Sequence, residues 1–236
     1  MSVRKGIWLL LAVAALSVLC AGATACGPVG GPTAGSRPSV SPRQALTESD
    51  LTKVLSAGDV PGFAMTPQTM PLLEAADVVT TNIAACRPIA DMMSVRPLHP
   101  RKAMVWALMK PEALPADASS GSLTLTSHEE EAARTWMAEL KRATTDCTQF
   151  TAVSQVGWTH RFSVRPVSTV KAGDDSVSYL LVNALAPGGR GNIMTIVRTG
   201  GVFATYLANQ GSDEPTAMPT DVTDQVHKRV QATAGS

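Results

Sequence analysis

Residues that could do chemistry are few in this sequence, and their spacing matches no catalytic pattern. The histidines are not paired at the i, i+4 spacing and form no H-E-x-x-H zinc sequence; there are four, His99, His128, His160 and His227. The G-x-S-x-G elbow of serine hydrolases is also missing. We therefore predict that the protein is not an enzyme, and expect no catalytic residue, no cofactor and no metal.

One short cluster could nevertheless line a ligand cleft. Trp158, His160 and Arg161 bring an aromatic ring, an imidazole and a guanidinium together within four residues. The same residues could equally form the end of a strand whose polar groups are satisfied by neighbours. Both interpretations stay open, and these three residues are the speculative ligand-cleft residues.

The four cysteines divide into two groups. Cys20 and Cys26 belong to the N-terminal segment, which leaves Cys86 and Cys147 for the folded part. In an oxidising compartment we expect a disulfide between them, closing a loop of about 60 residues and contributing roughly 4 kcal/mol through chain entropy. Two free buried thiols or a redox pair are the alternatives, although no C-x-x-C is present. Two isolated cysteines are too few ligands for a metal site.

The N-terminal residues 1–25 have the organisation of a bacterial lipoprotein signal peptide. Two basic residues precede a long apolar run, and the small residues Ala23–Ala25 then suit a signal peptidase. Cys26 follows at once, where the thiol of a lipobox is acylated, although Ala23 stands where leucine is usual. Plain cleavage after Ala25 and an uncleaved anchor over Gly6–Ala25 are the alternatives.

All three alternatives leave the rest of the chain outside the cell, because the positive charges precede the apolar run. We expect a lipid-anchored protein on the extracytoplasmic face of the cell membrane. Residues 26–45, rich in Pro, Gly and Ser, predict a flexible tether, and residues 46–233 predict one folded domain. Twenty Lys+Arg against nineteen Asp+Glu give a net charge of +1, which excludes a nucleic-acid partner.

The stretch Gly121–Cys147 changes its periodicity from two to about 3.6, as a strand followed by a helix does. Ser127 and Glu130 match a capping box at the start of that helix. Its helical spacing places Trp136 in the core, and Arg142 lies near its C-terminus, where cations are favoured.

Further strand patterns follow in quick succession, with Gly200-Gly201 as a hairpin signal. Helical patterns begin at Thr47, with Leu51, Val54 and Leu55 as the apolar residues, and at Thr220. The stretch Asn82–Met93 predicts another helix, whose regular part fits best if it starts near Arg87 because of Pro88. We predict an α+β fold, with an antiparallel sheet of about five to six strands and helices packed on one face.

Several segments together resemble a known family. They are LTKVLSAGDVPGF, CRPIADMM, SLTLT leading into a helix that ends at DC, and DDSVSYLL with its closing hairpin. Over roughly Leu46–Val230 the chain resembles the PknH-like extracellular domain, the external sensor part of a mycobacterial serine/threonine kinase that recurs as free lipoproteins in actinobacteria.

The resemblance implies an α+β fold with one antiparallel sheet and a solvent-filled cleft as a ligand site. It also implies that Cys86–Cys147 is the shared disulfide, while the cysteines for the sensor's second bridge are missing here. The chain carries no kinase domain, so we expect any signal to pass to another protein.

Two functions from different classes follow from the sequence. The first is a membrane-anchored, non-enzymatic lipoprotein with a sensor-like domain for an unknown small envelope ligand. The alternative is a structural or partner-binding envelope lipoprotein, which would bind an envelope protein and no small molecule. A hydrolase ranks last, and would need His160 beside a serine and an acid in a pocket.

Overall fold

The structure is a computed structural model that describes residues 44–73, 77–112, 121–184, 191–209 and 217–235. The predicted signal peptide, Cys26 and the tether up to residue 43 lie outside these residues. Within the described ranges no helix is long and apolar enough to cross a membrane.

Helices and strands alternate irregularly along the described chain. The helices are α1 (Glu48–Ser56), α2 (Arg87–Met92), α3 (Glu130–Asp146) and α4 (Thr220–Ala234), and a single 3₁₀ turn, Ala84–Cys86, leads into α2. The strands are β1 (Phe63–Gln68), β2 (Val79–Thr80), β3 (Ala103–Pro111), β4 (Gly121–Ser127), β5 (Gln149–Ser154), β6 (Thr159–Pro166), β7 (Asp175–Asn183), β8 (Gly191–Thr199) and β9 (Val202–Asn209).

The described strands form one sheet in the order β1-β3-β4-β9-β8-β7-β6-β5-β2, and every neighbouring pair is antiparallel. The prediction of an α+β fold with an antiparallel sheet is confirmed, but five to six strands was too few, since the sheet has nine. Both edge strands have weak sequence signals. β1 contains Pro67, which edge strands tolerate, and β2 is only two residues long.

Helices pack on both faces of this sheet, so the prediction of helices on one face was wrong. Along β9, Val202, Ala204 and Tyr206 contact the layer of α1 and α4, whereas Phe203 between them contacts the layer of α2 and α3. Because successive side chains of a strand point to opposite faces, the two layers lie on opposite sides. The apolar run Ile193–Val197 in β8 is the sequence pattern that such doubly covered strands have.

α3 crosses the sheet from β4 to the distant strand β5 and covers the strands between them. Its buried side chains recur at helical spacing and are Ala133, Trp136, Met137, Leu140, Ala143 and Thr144. The predicted core position of Trp136 is confirmed, because that side chain is 1% exposed.

The predicted capping box at the start of α3 was wrong. Ser127 still belongs to β4 and pairs with Val202, and α3 begins at Glu130 with no side-chain cap at Glu129.

The β8–β9 turn fixes the junction between β4 and α3, because the His128 backbone N–H donates to Gly201 O at 2.8 Å. A Cβ at Gly201 would collide with His128 O, which explains the glycine there. By contrast, Thr47 caps α1 as predicted.

Candidate functional site

A disulfide brings α2 beside the second half of α3. Cys86 ends the 3₁₀ turn before α2, Cys147 directly follows α3, and their Cα atoms are 5.0 Å apart. Both residues are buried, so the bond belongs to the core between the two helices. The disulfide expected from the sequence is therefore present, and it fixes the position at which α2 starts.

A cavity of about 540 Å³ lies between α2 and α3, next to this disulfide. That volume falls within the range of small-molecule sites, roughly 300–1,000 Å³. The lining residues come from the segment before α2, from α2 and the loop after it, and from α3; they are Thr81, Asn82, Ala84, Ala85, Arg87, Pro88, Asp91, Leu98, Glu139, Arg142, Ala143 and Asp146.

An ion pair within α2 fixes the orientation of one arginine in this cavity. Arg87 Nε donates to Asp91 Oδ1 at 2.6 Å, and the Asp91 side chain is 2% exposed while that of Arg87 is 37% exposed. The second oxygen of Asp91 accepts the Leu98 backbone N–H at 3.0 Å. Both carboxylate oxygens of Asp91 are thus engaged. Among the described residues neither terminal nitrogen of Arg87 has a hydrogen-bond partner, so its guanidinium is oriented and available.

A second arginine, Arg101, binds the C-terminal end of α2. Arg101 donates to the Ser94 carbonyl and to the carbonyls of Asp91 and Met92, at 3.1 and 3.4 Å. Its guanidinium lies over the Trp136 ring, 5.5 Å from the centroid, where a cation–π attraction operates. Burial lowers the pKa of Arg101 to about 10, against the opposing effect of the Asp91 charge, so Arg101 stays protonated at neutral pH.

Two histidines flank Trp136 and connect this region to the core. His99 Nε2 lies 2.8 Å from Glu139 Oε2, which orients that carboxylate at the cavity wall.

His128 is buried between Trp136 and Phe203, and its ring nitrogens contact the Pro100 carbonyl and the Thr126 hydroxyl. Burial, and then the positive charge of Arg101, lower the pKa of His128 to about 4. His128 is therefore neutral at physiological pH.

The α3 side of the cavity carries charges of both signs. Glu139, Arg142 and Asp146 lie one helical turn apart on the same face of α3 and all line the cavity. Within the described ranges neither Arg142 nor Asp146 takes part in an ion pair, and Glu139 Oε1 accepts no hydrogen bond. These groups remain free for a ligand.

Two other cavities have less suitable linings. One of about 560 Å³ lies beside the first described residues and is lined by the charged residues Glu48, Lys102 and Glu129, of which Lys102 and Glu129 are already paired with each other at 3.0 Å. Another of about 400 Å³ lies beside Met70 and Trp106, and Glu48 is the one charged residue among those that line it. Of these three cavities, the one between α2 and α3 has a buried carboxylate, Asp91, that orients a half-exposed guanidinium, Arg87.

The predicted ligand-cleft residues lie elsewhere, at β6. The rings of Trp158 and His160 are in contact, 4.9 Å between centroids, and His160 Nδ1 lies 3.2 Å from the Asn183 amide nitrogen. Arg161 is on the opposite face of β6 and donates to Gln149 Oε1 at 3.0 Å. Trp158 and His160 are thus brought together, Arg161 is not, and none of the three lines a cavity described above. Their part in ligand binding stays a prediction.

The residues of the α2–α3 cavity were missed at the sequence level. Arg87 and Asp91 do have the i, i+4 spacing of a helical ion pair, which was the available signal. Arg142 was interpreted only as a favourable cation near a helix C-terminus. Within the described part of the chain no three His, Cys, Asp or Glu side chains form a group that could hold a metal ion.

No family model matches the sequence, and no curated protein matches it. Among solved structures, this chain is similar to the extracellular domain of PknH from Mycobacterium tuberculosis, with a TM-score of 0.49 and 12% identity over 82% of this chain and 98% of that chain. It is also similar to an uncharacterized protein of Mycobacterium smegmatis, the Rv0999 ortholog, with a TM-score of 0.38 and 14% identity over 79% and 96%.

The domain that the sequence resembles is thus also found among the similar solved structures. Both TM-scores lie below 0.5, so the function of this chain has to be inferred from its own contacts.

Proposed function

We propose that the protein is a non-enzymatic, lipid-anchored extracytoplasmic lipoprotein whose domain binds a small polar ligand between α2 and α3. The observation that carries this proposal is the pair of Arg87 and Asp91. Burying a carboxylate costs several kcal/mol unless it is paired and hydrogen-bonded. Here Asp91 is paired and hydrogen-bonded so that a half-exposed guanidinium faces an open cavity.

The chemistry of the cavity lining supports binding and gives no support to hydrolysis. Of the described residues that line the cavity, none is a serine, cysteine or histidine. Covalent catalysis needs a nucleophile within hydrogen-bond reach of a base, whereas the hydroxyl of Thr81 accepts the Ile83 backbone N–H at 3.3 Å. The charged groups can bind and orient a ligand without a reactive step.

The walls of the cavity are held in place on both sides, which also suits binding. The disulfide fixes the start of α2, and Arg101 binds the carbonyls at its end. A wall that is ordered before binding loses less conformational entropy when the ligand arrives, and affinity rises accordingly.

A thermal-shift screen tests the ligand proposal on the full-length protein in detergent. The probes are dipeptides, muropeptides, trehalose and inorganic phosphate. A ligand at ten times its Kd stabilises the folded state by about 1.4 kcal/mol, which corresponds to roughly 3–6 °C in a protein of this size.

A pair of variants assigns any stabilisation to the cavity. Ala85 is exposed and lines the cavity, so Ala85→Trp fills it without disturbing the core. Ala138→Trp is the matched control, because Ala138 is exposed on α3 and does not line the cavity. Stabilisation that is lost in Ala85→Trp and kept in Ala138→Trp supports the proposal. A screen in which no probe raises the Tm contradicts it.

The anchor is tested separately. Residues 1–26 support acylation of Cys26 through their basic start, apolar run and small residues. Labelled palmitate should be incorporated into the wild type and not into Cys26→Ala. Cys20→Ala is the control that should retain the label. Equal labelling of the wild type and Cys26→Ala would contradict anchoring through Cys26.

The alternative function, an envelope lipoprotein that binds a protein partner and no small molecule, is favoured by three exposed apolar side chains. Met70 is 72% exposed, and Leu72 and Leu108 are each 39% exposed near the edge strand β1. A photo-crosslinking residue at Met70 should capture one defined envelope protein under this alternative. A crosslinker at exposed Ala138 is the control, and equal products from both positions would count against a specific partner.

A further inference from the structure

We infer that the ligand of the α2–α3 cavity is a zwitterion, which carries a free carboxylate and a free ammonium group, as a short peptide does. This inference rests on the proposed function and names the ligand class for the same site. Arg87 and Arg142 would bind the carboxylate, and either Glu139 or Asp146 would bind the ammonium.

The carboxylate side is defined by the way Arg87 is held. Its Nε is bound to Asp91, which leaves the two terminal nitrogens as a planar fork pointing away from that bond. Such a fork binds both oxygens of a carboxylate at once, which makes the contact strong and specific in orientation. Arg142, unpaired among the described residues, faces the same cavity from α3 and adds a second positive charge.

Asp91 acts through Arg87, so it is a positioning residue. Its side chain is almost completely buried, and one oxygen is bound to Arg87 while the other accepts the Leu98 N–H. Leu98 itself lines the cavity. Asp91 therefore fixes both the guanidinium of Arg87 and the loop at Leu98 that forms part of the cavity wall. It has no free oxygen with which to bind the ligand itself.

The ammonium side is formed by two acids on α3. Glu139 has one oxygen bound to His99 and the other free among the described residues. Asp146 lies seven residues, or about two helical turns, further along the same face. An ammonium group is a compact donor of three hydrogen bonds. Because seven residues of helix span about 10 Å, either one of the two carboxylates can bind it, but not both at once.

The balance of charges selects a zwitterion over a simple ion. The lining contains two guanidiniums and three carboxylates, and the Asp91 carboxylate is already bound to Arg87. A ligand with a single charge of either sign would lie close to at least one group of like charge, which is unfavourable. A ligand with both charges, suitably separated, meets both kinds of group.

Small side chains between these charges leave room for a short apolar part of the ligand. Ala84, Ala85 and Ala143 line the cavity, together with Pro88. Apolar contacts with a methyl-sized side chain are available there, and the charged groups lie around them. Dialanine is the smallest peptide that combines two separated charges with methyl side chains, and it is the probe that we choose.

Isothermal titration calorimetry tests the inference on the full-length protein in detergent. The three probes are dialanine, N-acetyl-dialanine and dialanine amide, so that each blocked form removes one charge and little else. We expect dialanine to bind, and each blocked form to bind at least tenfold more weakly. Blocked forms that bind as tightly as dialanine would overturn the inference.

Variants separate the carboxylate contact from a general loss of structure. Arg87→Gln should weaken the binding of dialanine at least tenfold and leave the weak binding of dialanine amide unchanged, because the amide has no carboxylate for Arg87 to bind. Asp91→Asn should give the same pattern through loss of the fork's orientation. Arg134→Gln, on the first turns of α3 away from the cavity, is the matched control and should bind all probes as the wild type does. Equal weakening for both probes in Arg87→Gln would overturn the assigned role.

The outcomes also distinguish this inference from the proposed function. If dialanine and the other dipeptides do not bind while trehalose or inorganic phosphate stabilises the wild type and not Ala85→Trp, the zwitterion is wrong and the cavity function stands. If no probe binds at the cavity, both are wrong.

Discussion

The guanidinium of Arg101 lies 5.5 Å from the centroid of the Trp136 ring and joins two helices that are distant in sequence. Arg101 binds the carbonyls at the end of α2, while Trp136 belongs to α3 and donates from Nε1 to the Pro88 carbonyl at 3.3 Å. Together with the disulfide, this contact holds α2 against α3 at both ends. The cavity between them therefore has walls that do not depend on a ligand for their order.

Removing the disulfide should destabilise the protein substantially. The bond joins residues 61 positions apart, and the chain-entropy model gives a loop of this length about 4 kcal/mol. We expect the double variant Cys86→Ser/Cys147→Ser to lose about that much free energy of unfolding in a urea titration. Adding dithiothreitol should lower the stability of the wild type and leave the double variant unchanged. A loss below about 1 kcal/mol would show that the bond is dispensable.

Removing the charge of Asp91 should destabilise the folded state through its two arginine neighbours. Asp91→Asn leaves buried Arg101 without its counter-charge and breaks the ion pair with Arg87. Breaking a buried pair costs about 3–5 kcal/mol, and because Arg87 is 37% exposed we expect about 2–3 kcal/mol in urea unfolding. Asp146→Asn, an exposed cavity residue, is the control and should change stability by no more than about 0.5 kcal/mol. Equal stability of the two variants would refute the role given to Asp91.

Stability should fall as the pH falls from about 6.5 to about 4, and His128 should account for part of the fall. Burial, followed by the charges of Arg101 and His99, lowers the folded-state pKa of His128 from 6.5 to about 4. Between these values the unfolded chain binds a proton at His128 and the folded protein does not, so protonation favours unfolding. The lost stability reaches about 3 kcal/mol near pH 4 and levels off below that pH.

His128→Gln provides the measurement of this effect. Between pH 6.5 and pH 4 the free energy of unfolding of this variant should fall less than that of the wild type, and the difference should be up to about 3 kcal/mol. An unchanged pH dependence in His128→Gln would contradict the buried neutral state of this side chain.

Two buried tyrosines carry hydroxyl groups without a hydrogen-bond partner among the described residues, Tyr179 and Tyr206. An unsatisfied buried hydroxyl costs about 1–3 kcal/mol. Tyr206→Phe should therefore unfold at the same or a higher urea concentration than the wild type, whereas Tyr206→Ala, which removes the ring, should lose about 3–5 kcal/mol. A clear loss of stability in Tyr206→Phe would mean that its hydroxyl has a stabilising partner.

Local periodicity predicted the elements of the fold well. Leu51, Val54 and Leu55 marked the buried side of α1, and Gly200-Gly201 marked the β8–β9 hairpin, in which Thr199 pairs with Val202. Each of these signals lies within a few neighbouring residues. The position of α2 after Arg87 was also predicted, since Pro88 is favourable at the start of a helix and not inside one.

Long-range arrangement could not be predicted in the same way. The start of α3 was misplaced because the pairing of Ser127 with Val202 depends on a strand far along the chain. The cavity was missed because Arg87 and Arg142 come together only when the disulfide places α2 against α3. Trp158, His160 and Arg161 are neighbours in sequence, but the alternation of a strand puts Arg161 on the other face.

Hydrogen–deuterium exchange of the full-length protein, with and without saturating ligand, tests the central claim most directly. The ligands are dialanine and any other probe that raises the Tm in the screen. The account predicts slower exchange in α2, Arg87–Met92, and in the second half of α3 up to Asp146, with no change in β1 or in α4. Protection confined to another surface, or exchange that no probe alters, would contradict a ligand site between α2 and α3.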